Sequence, residues 1–131
     1  MQAQSKKLLA LLVAQAGDAG TTVSYADVAR KIGIHVCNLK HPMDHLSRTL
    51  EAYAAKRGAQ IPPIQILVVN GKTGRPGPGA SVHIRSPYVK EGEQYATASA
   101  SRQKEIAQAV YAAVLAYGGW GKVVREVEGL L

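Results

Sequence analysis

Thr21-Thr22-Val23-Ser24-Tyr25-Ala26-Asp27-Val28-Ala29-Arg30-Lys31-Ile32-Gly33 holds a β-prone start, a helix signal and a stop in one stretch. Ser24 and Asp27 have the S-x-x-D spacing of a capping box, in which a hydroxyl accepts from an amide that the first helical turn leaves without an intrahelical partner. Val28 and Ile32, four positions apart, share one side of the helix and give it a face to bury. Gly33 is placed to end the helix in the left-handed conformation. The reading is a short extended segment running directly into a helix, with a tight turn after it.

Upstream, Leu8, Leu9, Leu12 and Val13 recur at helical spacing and predict a first core helix, ended by Gly17 and Gly20. Downstream, residues 34–41 read as irregular. Pro42 suits the first turn of a third helix running to about Arg57, with Gly58 behind it. Leu46, Leu50, Tyr53 and Ala54 form its buried stripe; Arg48, Lys56 and Arg57, offset by Asp44 and Glu51, lie outside that stripe. Ile64-Gln65-Ile66-Leu67-Val68-Val69 reads as a strand, preceded by Pro62-Pro63, which cannot sit inside a sheet ladder. Residues 81–85 alternate, with Val82 and Ile84 on one face, and are expected to pair with that strand as a hairpin. Its connection, 70–80, is too long for a tight turn, rich in Gly and Pro, and carries Lys72 and Arg75. After a loop at 87–98, Ile106, Ala109, Val110, Ala113, Val114 and Tyr117 mark a late amphipathic helix that Gly118-Gly119 ends. Val123, Val124 and Val127 mark a last short one.

Helix, β segment, helix, helix, hairpin with a basic loop is the order of a winged helix. The expected fold class is α/β, mainly α: a winged helix-turn-helix with a two-stranded wing and a C-terminal helical extension. Residues 1–131 suit a single domain, with 5–86 as the winged-helix core and 87–131 as the extension. The late helix either completes the core or makes a homodimer.

Net charge places the partner. The 131 residues carry 16 Lys and Arg against 9 Asp and Glu, a formal charge of +7. From residue 30 to residue 90 there are ten basic side chains and two acidic ones, and the rest of the chain is nearly neutral. A concentrated basic block points to a polyanion, most often nucleic acid. No apolar run approaches the roughly 20 residues that span a bilayer, so no membrane partner is expected. Lys6-Lys7, the apolar run at 8–14 and Ala14-Gln15-Ala16 imitate a short signal peptide, but the run is at the short end for one. With Cys37 alone no intrachain disulfide forms, and the expected location is cytoplasmic.

In a winged helix the third helix lies in the major groove and the wing reaches the backbone or minor groove. That assigns Lys40, Arg48, Lys56, Arg57, Lys72, Arg75 and Arg85 to nucleic acid, with phosphate contacts supplying salt-dependent affinity for double-stranded DNA. Tyr25, Tyr88 and Tyr95 either stack on bases or fill core and rim positions.

Thr22-Val23-Ser24-Tyr25-Ala26-Asp27-Val28-Ala29 with Ile32-Gly33, then Ile61-Pro62 and Val68-Val69-Asn70-Gly71, resembles the C-terminal DNA-binding domain of the O6-alkylguanine-DNA alkyltransferases and their inactive alkyltransferase-like relatives. The resemblance covers about half the chain, residues 20–79. It implies a winged-helix scaffold that binds DNA, with the motif tyrosine, here Tyr25, helping to rotate the target nucleotide; Ser24 beside it joins the expected nucleic-acid contacts. The family's reactive cysteine stands in a Pro-Cys-His-Arg-Val-Val motif; aligned on Val68-Val69, its place is taken by Gln65, with Ile66 and Leu67 after it. The resemblance therefore implies DNA binding without alkyl transfer. Residues 61–70, with Thr73-Gly74 and Pro76-Gly77, also resemble a group of uncharacterised bacterial proteins.

His35, Cys37, His41 and His45 fall within eleven residues. Cys and His are the usual zinc ligands, and His41 and His45 at i, i+4 share a helical face. Their spacing is not that of a structural zinc module, and the expectation is no metal and no cofactor. Gly71-Lys72-Thr73 imitates the end of a phosphate-binding P-loop, but Ile66 stands where its first glycine belongs. No carboxylate pair presents itself for acid–base catalysis. The reading is a non-enzymatic DNA-binding protein. Two alternatives stay open: a small metal-dependent nuclease or hydrolase built on the His/Cys cluster, and a basic module that binds an acidic protein.

Overall fold

The Ser24 hydroxyl accepts from the Asp27 amide at 3.2 Å, and helix α2 (Tyr25–Ile32) begins there in a computed structural model that describes residues 2–17, 22–76, 84–85 and 87–127. Gly33 ends α2 at φ +80°, with open space where a Cβ would stand. Ahead of it lie α1 (Gln2–Gly17) and β1 (Val23–Ser24). Behind it come a 3-10 turn at Val36–Asn38, then α3 (Lys40–Arg57), capped by Gly58 in the left-handed region.

Residues 34–41 are more ordered than their composition suggests. His35 Nδ1 accepts from the Cys37 amide at 3.2 Å and caps the 3-10 turn. Leu39, buried in the core, leads directly into α3, which starts two residues before Pro42. The expected stripe of α3 is buried at Leu46, Leu50 and Tyr53, joined by Met43 and Ser47.

The expected strand at 64–69 is corrected. Ile64–Leu67 is a 3-10 turn, closed by a bond from the Ile66 amide to the Pro63 carbonyl at 3.1 Å, and only Val68–Val69 is extended, as β2. All four residues of the turn are buried. A short run buried on every side has the same uniform apolarity as a buried strand, so periodicity does not separate the two.

The hairpin expected between this segment and residues 81–85 falls mostly outside the described residues. β2 pairs with β1 in parallel, Val23 opposite Val68 and Ser24 opposite Val69. Of the expected partner strand, residues 81–83 lie outside the described residues, and Ile84 and Arg85 belong to no strand. Among the described residues the fold is mainly helical, with a small two-stranded parallel sheet.

After a 3-10 turn at Tyr95–Thr97, α4 (Ala100–Ala116) and α5 (Trp120–Val127) return to the core. Ile106, Val110 and Val114 from α4 and Trp120, Val123 and Val127 from α5 sit in one buried cluster with Leu8, Leu9 and Leu12 of α1. Trp120 Nε1 donates to the Val114 carbonyl at 2.9 Å, and its ring meets Tyr117 edge-on with centroids 4.7 Å apart. No helix among the described residues is long and apolar enough to cross a membrane.

Candidate nucleic-acid interface

Asn70 organises the chain after β2. Its side-chain oxygen accepts from the amides of Lys72 at 2.8 Å and Thr73 at 3.2 Å, the local bonding that makes asparagine a turn former. Its own amide donates to the Arg75 carbonyl at 2.8 Å, and the Gly74 amide donates back to the Asn70 carbonyl at the same distance. Val69 and Pro76 then form an antiparallel bridge. The connection read as too long for a tight turn thus closes within residues 70–75, with Lys72 and Arg75 exposed on it.

The parallel register carries this turn to the start of α2. Ser24 is opposite Val69, and a Cβ on Gly71 would stand 3.5 Å from that of Ser24. Gly71, at the head of the turn that carries Lys72 and Arg75, is therefore beside Ser24. The Ser24 hydroxyl is already occupied in capping α2. Tyr25 is half-buried against the core with its hydroxyl inside, Tyr95 is a core residue and Tyr88 is half-buried, so none of the three rings is freely exposed for stacking.

Helix α3 does not present its cations as one stripe. Lys40, Arg48 and Lys56 are exposed at intervals of eight residues, and an α-helix turns about 80° beyond whole turns over eight residues. Lys40 and Lys56 thus face directions about 160° apart. Arg57 is drawn away from a phosphate role: its guanidinium is 2.9 Å from Glu126 on α5 and lies over the Tyr53 ring. Tyr53 also donates to Glu126, and these bonds, the tyrosine's foremost, hold that carboxyl below its ordinary range. Arg85 is exposed and 3.6 Å from Glu51. Among the described residues, Lys40, Arg48, Lys56, Lys72 and Arg75 are in no ion pair.

Gln65 is 2% exposed and lines a pocket of about 280 Å³ between α3 and residues 59–65. Its Nε2 donates to Ser47 Oγ at 2.5 Å, and Ser47 donates in turn to the Met43 carbonyl at 2.9 Å. With its amide fixed that way round, Gln65 Oε1 is buried without a hydrogen-bond partner. Pro63, Pro87 and Tyr88 furnish apolar wall, and the Arg85–Glu51 pair stands at the lining's polar side. The sequence reading missed Ser47. Its signal was a hydroxyl within the apolar stripe of Met43, Leu46 and Leu50.

Comparison with protein-family models, with curated proteins and with solved structures finds no match to this chain. Its site is read from its own geometry.

The four candidate metal ligands are not brought together. His45 turns toward α1, where its Nδ1 is 2.8 Å from the fully buried Ser5 hydroxyl. His35 and Cys37 bond each other on the exposed 3-10 turn, Nδ1 to Sγ 3.0 Å, and His41 is exposed at the start of α3. Among the described residues no group of three His, Cys, Asp or Glu is arranged to hold a metal ion.

Proposed function

We propose that this chain is a double-stranded DNA-binding protein of the winged-helix type, acting without chemistry on its partner from a cytoplasmic location. The observation that carries the reading is the parallel pairing of β1 and β2, which sets the 70–75 turn, with its two exposed cations, beside the start of α2. In this reading Lys72 and Arg75 take phosphates, and Lys40 and Arg48, a quarter-turn apart on the first half of α3, enter the groove. Lys56 serves a flanking phosphate. Arg57 and Arg85 leave the set, since each already has a carboxylate.

The pocket at Gln65 fits the same reading. The resemblance to the alkyltransferase DNA-binding domain puts the reactive cysteine at this position, and an amide supplies no nucleophile there. A nucleotide turned out of the duplex would meet a buried acceptor, Oε1, and be held without reaction. Fluorescence anisotropy of a labelled duplex over a salt series tests the proposal. Affinity is expected to fall steeply with salt, and Lys72→Ala and Arg75→Ala each to flatten the log–log slope by about one unit. Absence of binding at low salt overturns the reading.

A further inference from the structure

A second concavity, of about 230 Å³, lies on the other side of β2, between the 70–75 turn and α4. Ala100, Lys104, Ala107 and Tyr111 form one wall, at the three- and four-residue steps that keep side chains on a single helical face. This face is separate from the one α4 buries through Ile106, Val110 and Val114. The opposite wall is Ile66, Val69 and Pro76, and Tyr95 also lines the groove. Small side chains make the hollow: Ala100 and Ala107 are two turns apart on α4, and Gly74 is opposite, held at φ +69° by the Asn70 turn.

Its charge is one-sided. Among the described residues Arg75 and Lys104 line it, no carboxylate does, and neither cation forms an ion pair. Burial pushes the Tyr95 hydroxyl up while the Arg75 charge pulls it down. A largely apolar hollow with two positive groups and no negative one selects an apolar body that carries an anion. An enclosed apolar cavity of about 150 Å³ accepts benzene, so the volume here suits one or two fused rings.

We infer that the groove between the 70–75 turn and α4 is a binding site for a small aromatic carboxylate, its rings lying along Ala107 and Val69 and its carboxylate between Arg75 and Lys104. The site stands apart from the Gln65 pocket and shares Arg75 with the phosphate contacts proposed above.

A titration of the isotope-labelled protein with 2-naphthoate, followed by amide NMR shifts, tests it. Saturable shifts are expected at Val69, Gly74, Tyr95 and Ala107, with half-saturation below about 1 mM. The neutral analogue 2-naphthylmethanol is expected to bind about fivefold more weakly, the worth of an exposed ion pair. Lys104→Gln, at an exposed position that leaves the fold intact, is expected to remove about half of naphthoate's advantage over the neutral analogue, the rest being held by Arg75. Ala107→Trp, which fills the hollow, abolishes the shifts. Shifts that do not saturate, that centre on other residues, or that are the same for the acid and the alcohol overturn the inference, as does a folded Lys104→Gln protein with unchanged affinity.

Discussion

Ser24 illustrates how much a single side chain settles. Its hydroxyl caps α2, and the residue is also the partner of Val69 in the sheet. Ser24→Ala removes the cap and keeps the strand, so urea unfolding is expected to show a loss of about 1 kcal/mol with no change in fold. Gly119 is constrained for a different reason. A Cβ there would lie 2.8 Å from the Tyr117 ring, which itself meets Trp120 edge-on. Glu93 supplies a pH signature. Bonds from Arg102 Nε and Nη2 at 2.9 and 2.8 Å, with one from the Lys90 amide, hold its carboxyl down at about 2, against an ordinary 4.5. Because the folded state depresses this pKa, its contribution to stability is present in full above the ordinary value and is lost as pH falls from there through about 2. In Glu93→Gln the stability–pH curve, followed by thermal melts, is expected to be flatter across that interval.

The element that the sequence resolved best is α2, where cap, buried face and stop residue each have a local physical cause and each is observed at its expected position. α3 was legible in the same way, its buried stripe read from Leu46, Leu50 and Tyr53. Segment 64–69 was not. Its apolarity reports burial, and burial is common to a 3-10 turn and a strand, while its pairing with residues 23–24 is a long-range contact that no local pattern carries. The cations show the same limit: Arg57 and Arg85 looked like the others until Glu126 and Glu51 came near them in space. Gln65, identified from the resemblance as the residue replacing a nucleophile, proved to line a pocket, but its bond to Ser47 joins two elements and was invisible in either alone. Gln65→Leu removes an amide whose oxygen is unpartnered and leaves Ser47 its bond to the Met43 carbonyl. Stability is therefore expected to stay within about 1 kcal/mol of the parent by denaturant titration.

At the scale of the whole molecule, the C-terminal helices belong to the same buried cluster as α1. Ile106 is fully buried within it, and Ile106→Ala is expected to cost about 2–5 kcal/mol, measured as a lower denaturant midpoint with an unchanged slope. The parallel sheet has a consequence for the order in which the molecule is built. Val23 meets Val68 forty-five positions later, where the hairpin expected from the sequence would have joined segments about a dozen residues apart. Each doubling of a closed loop costs about 0.6 kcal/mol, so this pairing starts about 1 kcal/mol behind a local one and waits for α2, α3 and the Ile64–Leu67 turn to bring its ends together. The register that sets the turn carrying Lys72 and Arg75 beside α2 is thus a late product of folding, and an early casualty of partial opening. Native-state hydrogen exchange under rising denaturant is expected to open β1 and β2 before the amides of α1 and α4. Loss of the cationic turn's position would then precede loss of the core, so a chain still helical by circular dichroism would already lack the arrangement on which the proposed phosphate contacts depend.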